Sequence, residues 1–125
     1  MKLGEAVPVV FVNVAERERA LTFYRDVLGF PLKSSDAYGD FLDMGSALIR
    51  MTALPDYTAR PHPMLGWNVP DMGEAVKALV AKGVTFTIYE GLGQGADGVW
   101  TSPDGTKVAF FADPDGNVLS LAQTA

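Results

Sequence analysis

The chain has 125 residues, with 15 acidic and 10 basic side chains for a net charge of −5, one histidine and no cysteine. That balance disfavours the phosphate backbone of a nucleic acid as partner, and the missing thiols exclude disulfides, zinc–thiolate sites and thiol catalysis, which suits a reducing cytoplasm. No segment approaches the roughly 18 consecutive apolar residues of a membrane span, and the opening Met1–Glu5 lacks the apolar run of a signal peptide.

A chain of this length forms one compact domain or two fused half-domains, and buries roughly two-thirds of its unfolded surface without staples. The mild acidic excess would attract a cationic small molecule, and it equally serves plain solubility.

Val7 to Val14 is apolar and largely β-branched, the mark of a strand covered on both faces. Glu16 to Leu28 switches to helical spacing. Ala20, Phe23, Tyr24, Val27 and Leu28 share one face, Arg17, Glu18, Arg19, Arg25 and Asp26 the other, and Gly29 is a C-terminal stop. Phe30 to Lys33, Asp40 to Met44 and Ala47 to Thr52 read as three strands, with turns at 37–39 and 44–46. The stretch 54–63 holds three prolines and no periodicity, and reads as a linker.

The second half repeats this order. Met64 to Val69 is a strand. Asp71 caps a helix, with Glu74 completing a capping box, Met72, Ala75, Val76, Leu79 and Val80 forming its apolar face, and Gly83 ending it. Thr85 to Tyr89 is a strand, and 91–98, with four glycines, is a flexible loop. Val99 to Thr101, Lys107 to Phe111 and Asn117 to Gln123 complete the sheet. Asp113-Pro-Asp-Gly-Asn117 is a tight turn.

The halves echo one another. Val9-Val-Phe-Val-Asn-Val14 returns as Met64-Leu-Gly-Trp-Asn-Val69, and Ala20-Leu21 as Ala75-Val76, each 55 residues on (64−9, 75−20). The pattern predicts an α+β protein of two tandem βαβββ modules, 7–53 and 63–124, joined by a linker over 54–62, with curved sheets facing around a cleft. Strand parity places Val10, Val12 and Val14 on the helix side and Val9, Phe11 and Asn13 on the concave side. In the second module Leu65, Trp67 and Val69 take the helix side, and Met64, Gly66 and Asn68 the concave side.

Two stretches, Ala20-Leu-Thr-Phe-Tyr-Arg-Asp-Val-Leu-Gly-Phe30 and Val108-Ala-Phe-Phe-Ala-Asp-Pro-Asp-Gly-Asn-Val-Leu-Ser-Leu121, resemble the vicinal oxygen chelate superfamily, which includes glyoxalase I, extradiol dioxygenases, and fosfomycin- and bleomycin-resistance proteins. The resemblance spans nearly the whole chain and speaks to fold rather than reaction. In metal-dependent members, first- and last-strand residues of both halves converge on a divalent cation, usually through His, Glu or Gln. The matching positions here are Val9, Arg50, Met64 and Ser120. Val9 has no lone pair, Met64 is a soft thioether, Arg50 is permanently positive, and Ser120 is a weak ligand when neutral. A slip of one residue finds no better donors. The resemblance therefore implies a member without metal or other cofactor. It also implies a homodimer with a small organic ligand, either sequestering an antibiotic or, as a lyase or isomerase, acting on an oxygenated or thiol-conjugated substrate.

The candidate residues each carry two readings. Arg50 holds a carboxylate, phosphate or carbonyl oxygen, or pairs with Asp40 or Asp43 across the sheet. Asn13 and Asn68 hydrogen-bond a ligand, or satisfy strand-end backbone. Phe11, Tyr38, Phe41, Trp100 and Phe110 stack on a ligand ring, or are core. The glycine-rich loop before Trp100 is a lid, or only a long connection. Glu90, Asp40 and Asp43 are unpaired candidates for a base. His62, between two prolines, reads as an exposed linker residue.

Overall fold

The computed structural model describes residues 1–125. The chain divides into two compact units, 1–58 and 59–125, each built on a four-stranded mixed sheet.

In the first unit a short 3₁₀ turn, Leu3–Glu5, precedes β1 (Val9–Val14), α1 (Arg17–Thr22), β2 (Leu32–Ser35), β3 (Gly39–Asp43) and β4 (Leu48–Ala53). The strand order is β1-β4-β3-β2. β1 runs parallel to β4, and the other pairs are antiparallel. Alternation sorts the side chains as expected. Val12, Val14, Leu42, Ile49 and Met51 are buried together with Ala20 and Tyr24. Each fully buried aliphatic of this kind contributes about 1.5–3 kcal/mol of transfer free energy.

The helix differs from the single α-helix expected over 16–28. After Thr22 it widens into a π-helical turn, Phe23–Val27, in which the Leu28 N–H donates to the Phe23 carbonyl at 3.0 Å. Tyr24 is completely buried there, and Phe23 meets its ring edge-on, centroids 5.4 Å apart. Apolar spacing cannot separate a π turn from a continuing α-helix, because both keep one face apolar over so short a stretch. Gly29, at φ +85, then turns the chain out of the helix.

The second unit holds β5 (Pro63–Asn68), α2 (Met72–Ala81), β6 (Trp100–Thr101), β7 (Lys107–Ala112) and β8 (Val118–Gln123). The order β5-β8-β7-β6 repeats the first sheet. Asp71 caps α2 by accepting the Glu74 N–H at 3.0 Å, and the Met72 N–H donates to the Gln123 side chain at 2.6 Å, tying the helix start to the end of β8. Met72, Val76, Val84, Phe86, Ala109, Phe111, Leu119 and Leu121 form the core. The β7–β8 turn is held by the nearly buried Asp113. Its Oδ1 accepts the Asp115 and Asn117 N–H groups, each at 2.9 Å, and its Oδ2 accepts the Asn117 side-chain N–H at 2.7 Å.

The strand expected at Thr85 to Tyr89 is absent. Only a single bridge, Phe86 to Phe111, joins this stretch to the sheet. Beyond it the backbone finds side-chain partners instead: Gln94 accepts the Tyr89 N–H at 2.6 Å and donates to the Thr87 carbonyl at 2.9 Å. A side chain that satisfies these groups removes the reason for a longer ladder. No helix is long and apolar enough to cross a membrane.

Register measures how the halves differ. Phe11 pairs with Arg50 on β1 and β4, as Gly66 pairs with Ser120 on β5 and β8. The offset between equivalent positions grows from 55 (66−11) to 70 (120−50), so the second half carries 15 extra residues (70−55) between its outer parallel strands. The stretch between α2 and β6, including the glycine-rich loop, accommodates the added length.

Candidate ligand-binding site

The open face of the first sheet is aromatic and polar. Phe11 lies beside Arg50, and Arg50 beside Phe41, across three neighbouring strands. Asn13 pairs with Thr52 one step along, and Val9 with Leu48 one step back. Phe11 is 71% exposed and Tyr38 75%, so neither is core, whereas Phe41 is half-buried. Val9 is exposed and Asn13 half-buried.

Arg50 pairs with neither Asp40 nor Asp43, the acids expected for it across the sheet. Its Nη2 donates to Asp36 Oδ1 at 2.9 Å, and its guanidinium carbon lies 4.8 Å from the centre of the Phe41 ring. Its Nη1 is buried and has no hydrogen-bond partner. Asp36 sits in the turn before β3, which sequence spacing along the strands could not reveal. The same carboxylate accepts the Tyr38 and Gly39 N–H groups at 2.8 and 3.0 Å. The Arg50 hydrogen bond, followed by the Tyr38 N–H, holds the Asp36 carboxyl down at about 2.

Asp40 is taken by a different cation. Arg17, expected on the solvent side of α1, reaches over to it with Nε at 3.1 Å and Nη2 at 3.0 Å. That Nη2 also donates to the Asp36 and Gly39 carbonyls at 2.7 and 2.9 Å, and the Ser35 hydroxyl donates to Asp40 at 2.7 Å. Arg17 lies at the first position of α1, where its long stem can turn back toward the sheet rather than follow the polar face of the helix. Asp40 is 1% exposed, and an acid so paired is a structural group. Asp43 caps its own turn, accepting the Gly45 N–H at 2.7 Å.

The open face of the second sheet is apolar and hollowed. Met64, Gly66 and Asn68 are exposed, while Leu65, Trp67 and Val69 are half-buried on the opposite side. Ser120 stands beside Gly66 and Phe110, and a Cβ on Gly66 would collide with the Ser120 hydroxyl. Two cavities adjoin this face. One, of about 410 Å³, is bordered by Pro61, Pro63, Tyr89, Glu90, Gly91, Leu92 and Phe110. The other, of about 230 Å³, is bordered by Leu92, Trp100, Val108 and Phe110. Tyr89 meets Phe110 edge-on, centroids 5.6 Å apart.

Of the residues singled out in the sequence, the structure brings Trp100 and Phe110 together at one cavity. Arg50, Phe11 and Phe41 meet on the first sheet. Tyr89, Leu92 and Val108 went unrecognised. Leu92 is the apolar residue of an otherwise polar, glycine-rich loop, which is the one signal that could have exposed it.

That loop, expected to be flexible, carries hydrogen bonds of its own. Besides the two bonds to Tyr89 and Thr87, Gln94 donates to the Gly98 carbonyl at 2.7 Å, and the Gly95 N–H donates to the Val99 carbonyl at 2.9 Å. Gly98 is buried at φ +87, and a Cβ there would come within 2.8 Å of the Phe86 Cβ. Its glycine is needed for both conformation and space.

The four positions where a cation would be held do not fit one. They present an aliphatic, a guanidinium already paired with Asp36, a thioether and a hydroxyl packed beside Gly66. No three His, Cys, Asp or Glu side chains come together as ligands for a metal ion, and His62 is exposed between Pro61 and Pro63.

A family model described as "Glyoxalase/Bleomycin resistance protein/Dioxygenase superfamily" matches residues 6–121, and the chain belongs to that superfamily. Solved structures agree on the fold. A glyoxalase family protein from Enterococcus faecalis is 22% identical with a TM-score of 0.75, covering 94% of this chain and 97% of its own. TnmS3, an antibiotic binding protein from Streptomyces sp. CB03234, is 23% identical with a TM-score of 0.72, and all of each chain is covered. A lactoylglutathione lyase from Agrobacterium tumefaciens is 17% identical with a TM-score of 0.72, covering 98% and 96%. No curated protein matches.

Proposed function

We propose that this protein binds a small ring-bearing organic molecule against an open sheet face, without a metal ion, and that antibiotic sequestration is the use of that binding. The observation that carries the reading is the pair of aromatic-walled cavities meeting at Phe110, on a chain whose four cation positions hold no suitable ligands. Concave apolar walls with a few polar groups are how proteins recognise small organic molecules. On the first sheet, Arg50 Nη1 lacks a partner, so an acceptor oxygen brought against it would form a hydrogen bond that the protein alone leaves unmade. Asp36 already balances the Arg50 charge, which favours a neutral carbonyl over a carboxylate. Asn13, Asn68, Phe11, Tyr38, Met64 and Ser120 are the remaining contact candidates on the open faces. The same reading takes the protein to be a cytoplasmic homodimer.

A thermal-shift screen of aromatic and glycopeptide antibiotics against thiol-conjugate substrates tests it. A ligand at a hundredfold excess over its Kd raises stability by about 2.7 kcal/mol. The expected result is a shift with an antibiotic and no turnover of it. Turnover of a thiol conjugate would make the protein a lyase or isomerase instead. Metal analysis of the purified protein should find less than one equivalent of Ni, Zn, Mn or Fe; a full equivalent would overturn the metal-free reading.

A further inference from the structure

Glu90 stands out among the residues around the two cavities. It is the only ionisable carboxylate bordering either one, it is exposed, and it takes no part in an ion pair or hydrogen bond. The carboxylates that could be compared with it are engaged: Asp36 with Arg50, Asp40 with Arg17, Asp113 with its own turn. The smaller cavity beyond Phe110 has no polar wall at all, being bordered by Leu92, Trp100, Val108 and Phe110. Leu92 and Phe110 border both spaces, so a ligand seated on the Phe110 ring has an apolar space on one side and a free negative charge on the other.

We infer that the ligand of this site is a ring-bearing amine, with its ring in the Leu92–Trp100–Val108 cavity and its protonated nitrogen beside Glu90. The inference rests on the small-molecule reading above and adds the charge of the ligand to it. The geometry of the loop supports it. Gln94 anchors the loop through three hydrogen bonds, and Gly91 and Gly93 hold left-handed conformations on either side of Leu92. Glu90 and Leu92 are thereby held on one tight turn, closed by the Leu92 N–H donating to the Tyr89 carbonyl at 3.2 Å. Charge and apolar wall are presented together by that turn. An amine also avoids the repulsion that a carboxylate would meet there.

Three matched probes test this: 2-naphthylmethylamine, 2-naphthylmethanol and 2-naphthoic acid, each titrated by calorimetry and by chemical shifts of the Trp100 indole N–H. The amine should bind about threefold to fivefold tighter than the alcohol, as expected for an exposed charge pair, and the acid weakest. Glu90→Gln should erase the preference of amine over alcohol. Glu74→Gln, which removes the same charge from α2, should leave the preference intact. Equal binding of all three probes by the wild type would overturn the amine assignment while the cavity remains a binding site. No binding by any probe, with the Trp100 signal unmoved, would overturn the cavity reading itself. A preference that survives Glu90→Gln would remove Glu90 from the site.

Discussion

In the first half of the molecule Arg50 lies between two phenylalanines and is tied to Asp36; in the second half the same register holds Gly66, Ser120 and Phe110 beside a pair of cavities. Strand order, parallel outer pair and buried side are shared. The halves diverge in the π-helical turn that extends α1, in the exposed strand positions and in the 15 residues inserted before β6. Alternation keeps the two faces of each strand independent, so one side can be conserved as core while the other is rewritten. The first face spent its change on a charged pair. The second spent it on a loop that builds walls.

Four measurements would break or sharpen that contrast. The largest effect is expected from Arg17→Ala. It strands the buried Asp40 carboxylate with only the Ser35 hydroxyl, and urea unfolding should show the largest loss of stability of the four. An unchanged unfolding midpoint would mean that the first half does not depend on its ion pairs. Next is the turn common to both halves. Asp113→Ala removes the acceptor of three hydrogen bonds and should cost about 2–3 kcal/mol, while Asp43→Ala removes a single bond at an exposed turn and should cost at most about 1 kcal/mol. Equal losses would deny the asymmetry.

Gln94→Ala is the third. It releases three hydrogen bonds of the inserted loop, at about 1–2 kcal/mol because water replaces part of them. Amide exchange should accelerate at Tyr89 and stay unchanged in β7 and β8. Faster exchange throughout the second sheet would mean that the loop is part of the core.

The smallest is a pH effect. Asp36 is held at about 2 by Arg50 and two backbone N–H groups, below the ordinary aspartate value near 3.9. A carboxylate with its folded value lowered stabilises the protein above the unfolded value, and this contribution fades as pH falls through about 4 towards 2. Carbon-detected titration should place the Asp36 midpoint near 2, and Arg50→Ala should raise it. An ordinary midpoint in the wild type would dissolve the Arg50–Asp36 pair.

Much of this architecture is legible in the sequence, because period-two and helical spacing report burial directly. The βαβββ order, the facing of Val9, Phe11, Asn13 and their echoes, the cap at Asp71 and the turn at Asp113 all follow from local patterns. What stays hidden depends on contacts distant in sequence. Arg17 reaches an acid 23 residues away, and Arg50 finds Asp36 in a turn rather than on a neighbouring strand. The hydrogen bonds of the inserted loop are not legible, because glycine signals only permission to bend, while the residue that makes them, Gln94, carries no pattern. Of the candidate site, Trp100 and Phe110 were readable as aromatics at strand spacing. Their shared wall, Leu92, was not.

Gly66 and Ser120 impose a joint constraint on the history of this chain. Because the Ser120 hydroxyl occupies the space that a side chain at 66 would need, position 66 is not free to gain a side chain alone. A chain with a bulky group at 66, matching its counterpart Phe11, would have to shrink or reorient residue 120. A side chain at 66 is therefore compatible only with a smaller or reoriented residue at 120.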